Sequence, residues 1–531
     1  MADDLFRPRL VPAPHVVSDD RRYLLLHPRA PRWAALNATG LAVAQLCDGA
    51  RTIPDIAATI GRRWAQPADR VLPDVEACVA RLAQAGFIEG VTSPPAPPGP
   101  PGPPKLGGTG GTSPPAPPGP LDPPRLGETG GTSPPAPPLQ VEESISPPSL
   151  LGKGAGGLGA DTGAGGLGAS TEAGGSGARK RAGESQRPPW RLHLYLTEAC
   201  NLRCRHCGVA GNGGEPARLD ADLVRGLIEQ AVAAGAEGIA FGGGEPLLHP
   251  ALGALLAHAA PRLKTLVATN GLLIDDAAAE TFARLGVIVQ VSLDGPDPFT
   301  HDRIRGAGAF ARAWRGIERL QRAGIGERLA LNVTLMRPNI GRLAEIVDLA
   351  ARRGIGGVRF TALQRMGRAA DRWAELAPTA DEYAEAYRFL YRCRPAAGLA
   401  LQPELLGLEP APPDRGMWCG LGRTLLVDAR GDIYPCGLFV GPQFRLGNVR
   451  ETSLAEALAS PALAQLIGRC EQRRELIPAC RACAWKHFCQ AGCAGSVWQM
   501  HGTLYETDGL CAVRRELFAE LLLARAAAQD V

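Results

Sequence analysis

From residue 190 onward, short apolar runs alternate with longer stretches whose apolar residues recur at helical spacing. The β-like runs are Leu192–Leu196, Gly238–Phe241, Thr265–Ala268, Val287–Leu293, Leu329–Leu335 and Gly357–Thr361. The helical stretches are Ala221–Ala234, Ala251–Ala259, Asp276–Leu285, Ala311–Ala323 and Ile340–Arg353. Six β/α repeats predict a parallel α/β sheet covered by helices. The count favours an open, partial (β/α)6 barrel over a closed eight-fold one.

The first 91 residues show a different pattern. A β-like run at Tyr23–Leu26 precedes three helical stretches, and a short strand ends the segment. The helices are Thr39–Leu46, Ile53–Trp64 and Val71–Ala85, and the strand is Phe87–Ile88. Asn37 or Thr39 is placed to cap the first helix. The pattern predicts a small α+β domain.

Residues 92–189 have no apolar period. A Thr-Ser-Pro-Pro-Ala-Pro-Pro segment begins at Thr92, Thr112 and Thr132, and Gly and Ala dominate after Gly154. A solenoid needs an apolar face on which to stack, and this repeat has none. The composition predicts a disordered linker that tethers two domains and raises their effective concentration.

Charge and targeting signals exclude several classes of partner. The net charge of +4 over 531 residues is too small to indicate a nucleic acid or an anionic membrane. The beginning of the chain lacks the pattern of a signal peptide, and no apolar stretch has the length of a membrane span. We therefore expect a cytoplasmic protein with 14 cysteines, whose clusters indicate metal binding or catalysis rather than disulfides, while Cys47 and Cys78 fit buried core thiols.

Three of these cysteines directly follow the first β-run of the barrel. Cys200, Cys204 and Cys207 have the spacing Cys-x3-Cys-x2-Cys. Their loop lies at the carboxyl end of a parallel strand, where such sheets build active sites. Three thiolates can bind three irons of a [4Fe-4S] cluster and leave the fourth iron open. The alternative is a zinc site, but zinc usually takes four ligands and no fourth is nearby.

This triplet and the strand ends after it resemble the radical S-adenosylmethionine (SAM) superfamily. The matching segments are Gly243-Gly244-Glu245-Pro246, Thr269-Asn270-Gly271, Ser292 with Asp294, and His301-Asp302-Arg303-Ile304-Arg305. Their order on successive strand ends makes the resemblance specific, whereas a lone GGEP would be weak evidence.

The resemblance implies that SAM chelates the open iron and yields a deoxyadenosyl radical. It places Gly243 and Gly244 near the methionine end of SAM. It also implies that Glu245 binds the ammonium group of SAM. The remaining implied contacts are Asn270 at the third strand end, Ser292 and Asp294 at the ribose, Arg305 at the carboxylate, Leu363 near the adenine, and His206 in place of the usual aromatic residue. The cofactor supplies the difficult chemistry, and the protein supplies position and electrostatics.

The carboxyl-terminal cysteines resemble the SPASM extension of radical SAM enzymes, as in PqqE-like peptide maturases. The resemblance implies two auxiliary [4Fe-4S] clusters, three in all. One would be bound by Cys480, Cys483, Cys489 and Cys511, and the other by Cys419, Cys436 and Cys493. The alternative is a pair of zinc sites, which would need Cys470 as an eighth ligand.

Two positions depart from relatives of this kind. Where some SPASM enzymes have a further Cys, this chain has Leu425, so the cluster of Cys436 could have three protein ligands and an open iron. Cys470 could be its fourth ligand, although a bystander on the preceding helix is the favoured interpretation. Where sulfatase-maturing relatives have an Asp base, this chain has Gly437, which argues against that activity.

The amino-terminal domain resembles PqqD-like winged-helix domains, also called RiPP recognition elements. The segment that carries the resemblance is Leu46–Ile53, followed by Ile56 and Ile60. A DNA-binding winged helix is the alternative. However, residues 1–90 hold 11 Arg, no Lys and 10 Asp or Glu, too little net charge for a phosphate-contacting face. The resemblance implies a precursor peptide that adds as a β-strand to the edge of the sheet.

Together these patterns predict a peptide-modifying radical SAM/SPASM enzyme. Its domains would be residues 1–91 (PqqD-like), 92–189 (linker), 190–400 (partial barrel) and 401–531 (SPASM). A ferredoxin- or flavodoxin-type protein would donate electrons. One alternative is a radical enzyme acting on a small molecule such as a tetrapyrrole, and another is a non-catalytic iron–sulfur electron-transfer or scaffold protein.

Overall fold

The computed structural model describes residues 6–18, 22–30, 32–89, 141–144, 190–209, 215–405 and 420–529. The chain divides into an amino-terminal unit, residues 1–145 with 525–531, and a large unit, residues 146–524. Among the described residues, no helix combines the length and the apolar content that crossing a bilayer requires.

An antiparallel sheet forms one layer of the amino-terminal unit. Its strands, in sheet order, are β1 (His15–Ser18), β2 (Tyr23–Leu26), β3 (Trp33–Leu36) and β4 (Val141–Ser144). β4 lies within the predicted linker, where no strand was expected, and it pairs with β3. The N–H and C=O groups along the outer edge of β3 explain this pairing, since an edge strand accepts any extended segment. The rest of the predicted linker lies outside the described residues.

Three helices cover the core of this unit, namely α1 (Ala38–Leu46), α2 (Ile53–Trp64) and α3 (Ala68–Gln84). Asn37 caps α1, as one of the two predicted alternatives, because its Oδ1 accepts a hydrogen bond from the Gly40 N–H at 2.8 Å. The predicted last strand is reduced to a single bridge between Ile88 and Leu10. Burial of the apolar faces of all three helices accounts for the periodic sequence of the segment.

One sheet of ten strands organises the large unit, in the order β11-β10-β9-β8-β7-β6-β5-β12-β13-β14. The strands are β5 (Trp190–Thr197), β6 (Ala236–Gly243), β7 (Lys264–Thr269), β8 (Ile288–Ser292), β9 (Leu329–Leu335), β10 (Gly357–Ala362), β11 (Ala400–Pro403), β12 (Thr424–Val427), β13 (Asp432–Tyr434) and β14 (Gly447–Asn448). All pairings from β11 to β12 are parallel. The hairpin β12–β13 therefore extends the barrel sheet next to β5.

Helices follow most strands of this sheet. They are α4 (Ala221–Ala233), α5 (Leu252–Ala259), α6 (Asp276–Arg284), α7 (Pro298–Arg305), α8 (Ala309–Arg322), α9 (Leu343–Arg352), α10 (Arg368–Asp371), α11 (Trp373–Leu376), α12 (Ala380–Arg392), α13 (Leu454–Leu458), α14 (Pro461–Leu476), α15 (Pro478–Arg481), α16 (Lys486–Cys489), α17 (Ala494–His501) and α18 (Cys511–Gln529). Asp220, Asp275 and Asp297 cap α4, α6 and α7 through their carboxylates.

The predicted fold class, an open partial barrel of β/α repeats, is confirmed. All six predicted strands are present as β5–β10, within two residues at each end. The sequence did not predict β11, β12–β14 or helix α7. These elements are short or polar, and their place depends on pairing with distant segments rather than on a local period.

Phe360 and Phe299 offer a matched test of this core. Phe360 on β10 is completely buried, whereas Phe299 on α7 is 71% exposed. We predict that Phe360→Ala lowers the free energy of unfolding by about 3–5 kcal/mol, since it removes a buried ring and leaves a cavity. The control Phe299→Ala should change this energy by less than about 0.5 kcal/mol. Urea unfolding followed by circular dichroism measures both, and equal midpoints would contradict the assigned core.

Candidate functional site

The loop after β5 carries the three barrel cysteines. Cys204 is buried, Cys207 is half-buried and Cys200 is exposed. Arg368 anchors the loop, because its Nε donates to the carbonyl oxygen of Cys204 at 2.8 Å and its backbone N–H donates to that of Cys207 at 3.0 Å. The three thiols therefore belong to one tethered loop at the carboxyl end of the parallel sheet.

Gly243 and Gly244 let β6 approach this loop. Gly243 has a φ of +113°, and a Cβ on it would lie 2.7 Å from the carbonyl oxygen of Thr197. A Cβ on Gly244 would lie 2.1 Å from the carbonyl oxygen of Ala199. Close backbone packing thus explains the glycine pair, and its predicted proximity to SAM stays a prediction.

Glu245 is completely buried and ties β6 to the turn after β7. Its Oε1 accepts from the Thr269 hydroxyl at 2.7 Å, and its Oε2 accepts from the Asn270 N–H at 2.9 Å. Burial raises the pKa of Glu245, while the bonds from Asn270 and Thr269 oppose the rise. A third bond comes from the Leu247 N–H. The protein itself thus fills three of the carboxylate's about four acceptor sites, and the predicted contact with the SAM ammonium group stays a prediction.

Asp294 and Arg305 form a buried ion pair beside the loop. Arg305 Nε donates to Asp294 Oδ2 at 2.6 Å, and Asp294 Oδ1 accepts from the Thr334 N–H at 2.9 Å. Although burial alone would raise the pKa of Asp294, the Arg305 cation holds it below its ordinary value. Asp294 is therefore ionised and engaged by the protein itself. Its predicted ribose contact, and that of Arg305 with the SAM carboxylate, stay predictions.

A guanidinium group and a side-chain amide lie near two of the three barrel thiols. Arg305 Nη1 lies 3.9 Å from Cys204 Sγ, and Asn270 Nδ2 lies 3.9 Å from Cys200 Sγ. Burial raises the pKa of Cys204 to about 11, while Arg305 opposes the rise. Within the described residues, no three of His, Cys, Asp and Glu are arranged to hold a single metal ion. The three sulfur donors with N–H groups at their side fit a [4Fe-4S] cluster, whose thiolates bind different irons.

His206 completes this group. Its Nε2 lies 3.5 Å from Arg305 Nη2 and 3.7 Å from Asp294 Oδ2. Burial lowers the pKa of His206 to about 4, so its ring is neutral at pH 7. Its Nδ1 is buried and has no hydrogen-bond partner among the described residues. This orphaned atom is available to a bound ligand.

Two further predicted residues lie at strand ends of the same sheet. Ser292 is half-buried at the end of β8, opposite Asn332 on β9. Leu363 is buried in an apolar cluster with Ile304 and Met336, and its N–H donates to the Tyr383 hydroxyl at 3.2 Å. Leu363 therefore offers an apolar wall at this strand end, and its role at the adenine stays a prediction.

A cavity of about 900 Å³ joins the barrel to the carboxyl-terminal segment. His206 and Leu363 line it on the barrel side, and Cys436 and Cys493 line it on the other. Within the described residues, buried polar atoms of His193 and Gln364, which also line the cavity, lack hydrogen-bond partners. The cavity therefore suits a ligand that brings its own polar groups.

Cys436, Cys470 and Cys493 lie close to one another. Burial raises the pKa of Cys436 to about 12, and the thiols of Cys493 and Cys470 add to the rise. Cys470 is buried in the same apolar cluster that Cys436 contacts. Cys470 therefore lies beside two of the predicted ligands, although the sequence favoured a bystander on the preceding helix. The predicted ligand Cys419 lies outside the described residues.

The second group of cysteines surrounds the start of α18. Burial raises the pKa of Cys480 to about 12, and the thiols of Cys489, Cys511 and Cys483 contribute in that order. The structure therefore brings together all four thiols that the sequence assigned to one site. Arg514 Nη1 lies 3.7 Å from Cys489 Sγ.

The sequence missed several residues that hold these groups. Arg368, Tyr383 and Asp508 belong to no motif, and their partners are distant in sequence. Only Arg514 among these residues could have been found from the sequence. It follows Cys511 by three residues at the beginning of a helix, so the two side chains lie on the same helix face.

Three family models match separate parts of the chain. The Radical SAM superfamily matches residues 194–350, Coenzyme PQQ synthesis protein D (PqqD) matches residues 22–88, and the Iron-sulfur cluster-binding domain (SPASM) matches residues 419–484. The matches fall on the barrel, the amino-terminal unit and the cysteine-rich segment. The resemblances on which the sequence predictions depend are therefore confirmed.

Curated relatives match about half to two thirds of the chain. Mycofactocin maturase MftC of Mycobacterium ulcerans is 33% identical over 308 residues, which are 56% of this chain and 81% of the relative. AdoMet-dependent heme synthase of Oleidesulfovibrio alaskensis is 28% identical, covering 62% of this chain and 88% of that protein. PqqA peptide cyclase of Gluconobacter oxydans is 28% identical, covering 61% and 91%.

Solved structures share the fold. Native anSMEcpe with bound AdoMet and the Cp18Cys peptide superposes with a TM-score of 0.52 at 18% identity, covering 64% of this chain and 98% of that one. Streptococcus suis SuiB bound to S-adenosylmethionine gives 0.51 at 20% identity, covering 61% and 77%. Together with the cysteine loop and the strand-end motifs, the identity to MftC and the three family models show that the chain belongs to the radical SAM superfamily, among its members with a SPASM domain, and carries a PqqD domain as well.

Proposed function

We propose that this protein is an enzyme that cleaves SAM reductively and uses the radical to modify a ribosomally made peptide. One observation carries the proposal: a single cavity is lined by His206 beside the cysteine loop and by Cys436 and Cys493. Relatives named as a maturase and as a peptide cyclase, and the PqqD match, support a peptide as the substrate.

When bound, the cluster and SAM supply a 5′-deoxyadenosyl radical that abstracts hydrogen from an unactivated carbon. The chain's own residues position and shield this chemistry. Arg305 donates toward Cys204 and fixes the charge balance with Asp294, and Asn270 donates toward Cys200. We assign SAM contacts to Glu245, Arg305 and the neutral ring of His206, whose Nδ1 lacks a hydrogen-bond partner among the described residues.

We further propose three [4Fe-4S] clusters. Cys200, Cys204 and Cys207 would bind the first. The other ligand sets are Cys480, Cys483, Cys489 and Cys511, and Cys419, Cys436 and Cys493. Proximity to Cys436 makes Cys470 a candidate for the fourth ligand of the last cluster. The donor set is entirely thiolate, which suits iron–sulfur clusters as well as zinc, and the SPASM match to residues 419–484 favours iron–sulfur.

A tetrapyrrole is the second candidate substrate, because AdoMet-dependent heme synthases are related over a similar share of the chain. The PqqD match at residues 22–88 favours the peptide. We also propose that a ferredoxin- or flavodoxin-type protein donates the electrons, and that the enzyme works in the cytoplasm, where its many thiols stay reduced.

Iron content tests the cluster assignment. We predict about twelve irons per chain after anaerobic reconstitution, and deoxyadenosine formation when dithionite and SAM are added. Replacing Cys200, Cys204 and Cys207 together by Ala should leave about eight irons and abolish deoxyadenosine. Cys393→Ala, at a cysteine outside the three sets, is the matched control and should change neither. Zinc in place of iron, or iron without deoxyadenosine, would refute the assignment.

The buried pair of Arg305 and Asp294 gives a second prediction. Arg305→Gln should cost about 3–5 kcal/mol of stability, since it leaves the Asp294 charge unpaired. It should also weaken SAM binding at least tenfold in the fraction that retains iron. The matched control is Arg342→Gln, because the Arg342–Asp297 pair is partly exposed and should matter little. Calorimetric SAM titration is the measurement, and unchanged affinity would exclude Arg305 from the SAM site.

The substrate class is tested with a leader-containing peptide expressed from a short open reading frame found next to the gene. We predict that the enzyme changes the mass of this peptide only with SAM and reductant. Removing the peptide's amino-terminal leader should slow the reaction at least tenfold, since the PqqD domain would no longer hold it. Mass spectrometry follows the product. A changed tetrapyrrole with an unchanged peptide would favour the second candidate.

A further inference from the structure

The loop between Cys489 and Cys493 connects the two proposed auxiliary clusters. Its three inner residues, Gln490, Ala491 and Gly492, have φ values of 51°, 64° and 69°. Consecutive left-handed residues are costly outside glycine, so the surroundings must hold this loop in place. The loop fixes a ligand of one cluster four residues from a ligand of the other.

Arg473 on α14 holds the loop from one side. Its guanidinium is almost completely buried and donates to the carbonyl oxygens of Leu504 at 2.7 Å, Gly492 at 3.0 Å and Ala491 at 2.8 Å. These bonds satisfy backbone groups that the left-handed turn leaves without ladder partners. Arg473 is therefore a support for the backbone of the loop.

Asp508 and Arg514 hold the loop from the other side. Their side chains are each 3% exposed and form a bidentate pair, with N–O distances of 2.8 and 2.7 Å. Asp508 Oδ2 accepts from the Cys493 N–H at 3.0 Å, and Arg514 Nη1 lies 3.7 Å from Cys489 Sγ. A Cβ on Gly492 would lie 2.2 Å from Asp508 Oδ2, so only glycine fits against the pair.

We propose that Asp508 and Arg514 set the reduction potentials of the two auxiliary clusters in opposite directions. The inference rests on the proposed function, which supplies the clusters. Arg514 brings a positive charge and an N–H donor to Cys489, which stabilises an added electron on that cluster. Asp508 brings a negative charge to the backbone of Cys493, which disfavours an added electron on the cluster of Cys493. The same charge also reaches Cys489, where Arg514 outweighs it. Burial leaves both charges weakly screened.

The direction of electron flow follows from this arrangement. Cys493 lines the cavity, whereas Cys489 does not border it among the described residues. An electron on the cluster at Cys493 would therefore be drawn toward the cluster at Cys489, where Arg514 stabilises it. Each transfer moves one electron, oxidising the donor and reducing the acceptor.

Redox titration followed by electron paramagnetic resonance tests the proposal. The full chain would carry Ala at Cys200, Cys204 and Cys207, so that only auxiliary signals remain. Arg514→Gln should lower the reduction potential of the cluster at Cys489. Its reduced-to-oxidised ratio at a fixed potential should fall about tenfold, which is 59 mV for one electron. Asp508→Asn should raise the reduction potential of the cluster at Cys493. Arg514→Lys keeps the charge and should preserve most of the wild-type value.

Arg388→Gln is the matched control. Arg388 lies on α12 and pairs with Glu516 and Glu520 of α18, the helix that also carries Arg514. It should leave both potentials unchanged. Potentials that do not move in iron-loaded Arg514→Gln and Asp508→Asn would overturn the inference. So would loss of iron in both Arg514→Gln and Arg514→Lys, which would make Arg514 a structural support only. A wild-type chain without auxiliary iron would instead refute the proposed function.

Discussion

The barrel cysteine site depends on a buried pair of opposite charges, Asp294 and Arg305, beside the loop of Cys200, Cys204 and Cys207. Asp294 and Arg305 come from the end of β8 and the end of α7, and each would be costly to bury without the other. Their pairing fixes α7 against the sheet and brings a cation within 3.9 Å of Cys204. The same solution recurs at Asp508 and Arg514 beside Cys489, so both groups of thiols have a buried carboxylate–arginine pair at their side.

The sheet explains how these two ends face one cavity. β12 pairs in parallel with β5, the strand that leads into the first cysteine loop. The carboxyl-terminal segment is therefore an extension of the barrel sheet, and Cys436 follows its hairpin directly. Such continuity attaches the first cysteine loop and Cys436 to neighbouring strands of one sheet.

Local patterns in the sequence predicted the six barrel strands, the helices between them and the cysteine groups. They could do so because apolar periods and short-range cysteine spacings are local properties. They missed what depends on distant partners. Arg368, Asp508 and Arg473 act on backbone groups far away in sequence, and β4 became a strand only by pairing with β3. Cys470, favoured as a bystander, lies beside Cys436 because α14 packs on the hairpin.

We propose that a radical generated from SAM at the cluster of Cys200, Cys204 and Cys207 takes hydrogen from a peptide in the shared cavity. A deuterated substrate peptide, incubated with SAM and reductant, tests this step through the mass of the deoxyadenosine released. Deuterium should appear in the deoxyadenosine in step with modification of the peptide. Deoxyadenosine without deuterium, formed while the peptide is modified, would exclude this hydrogen transfer.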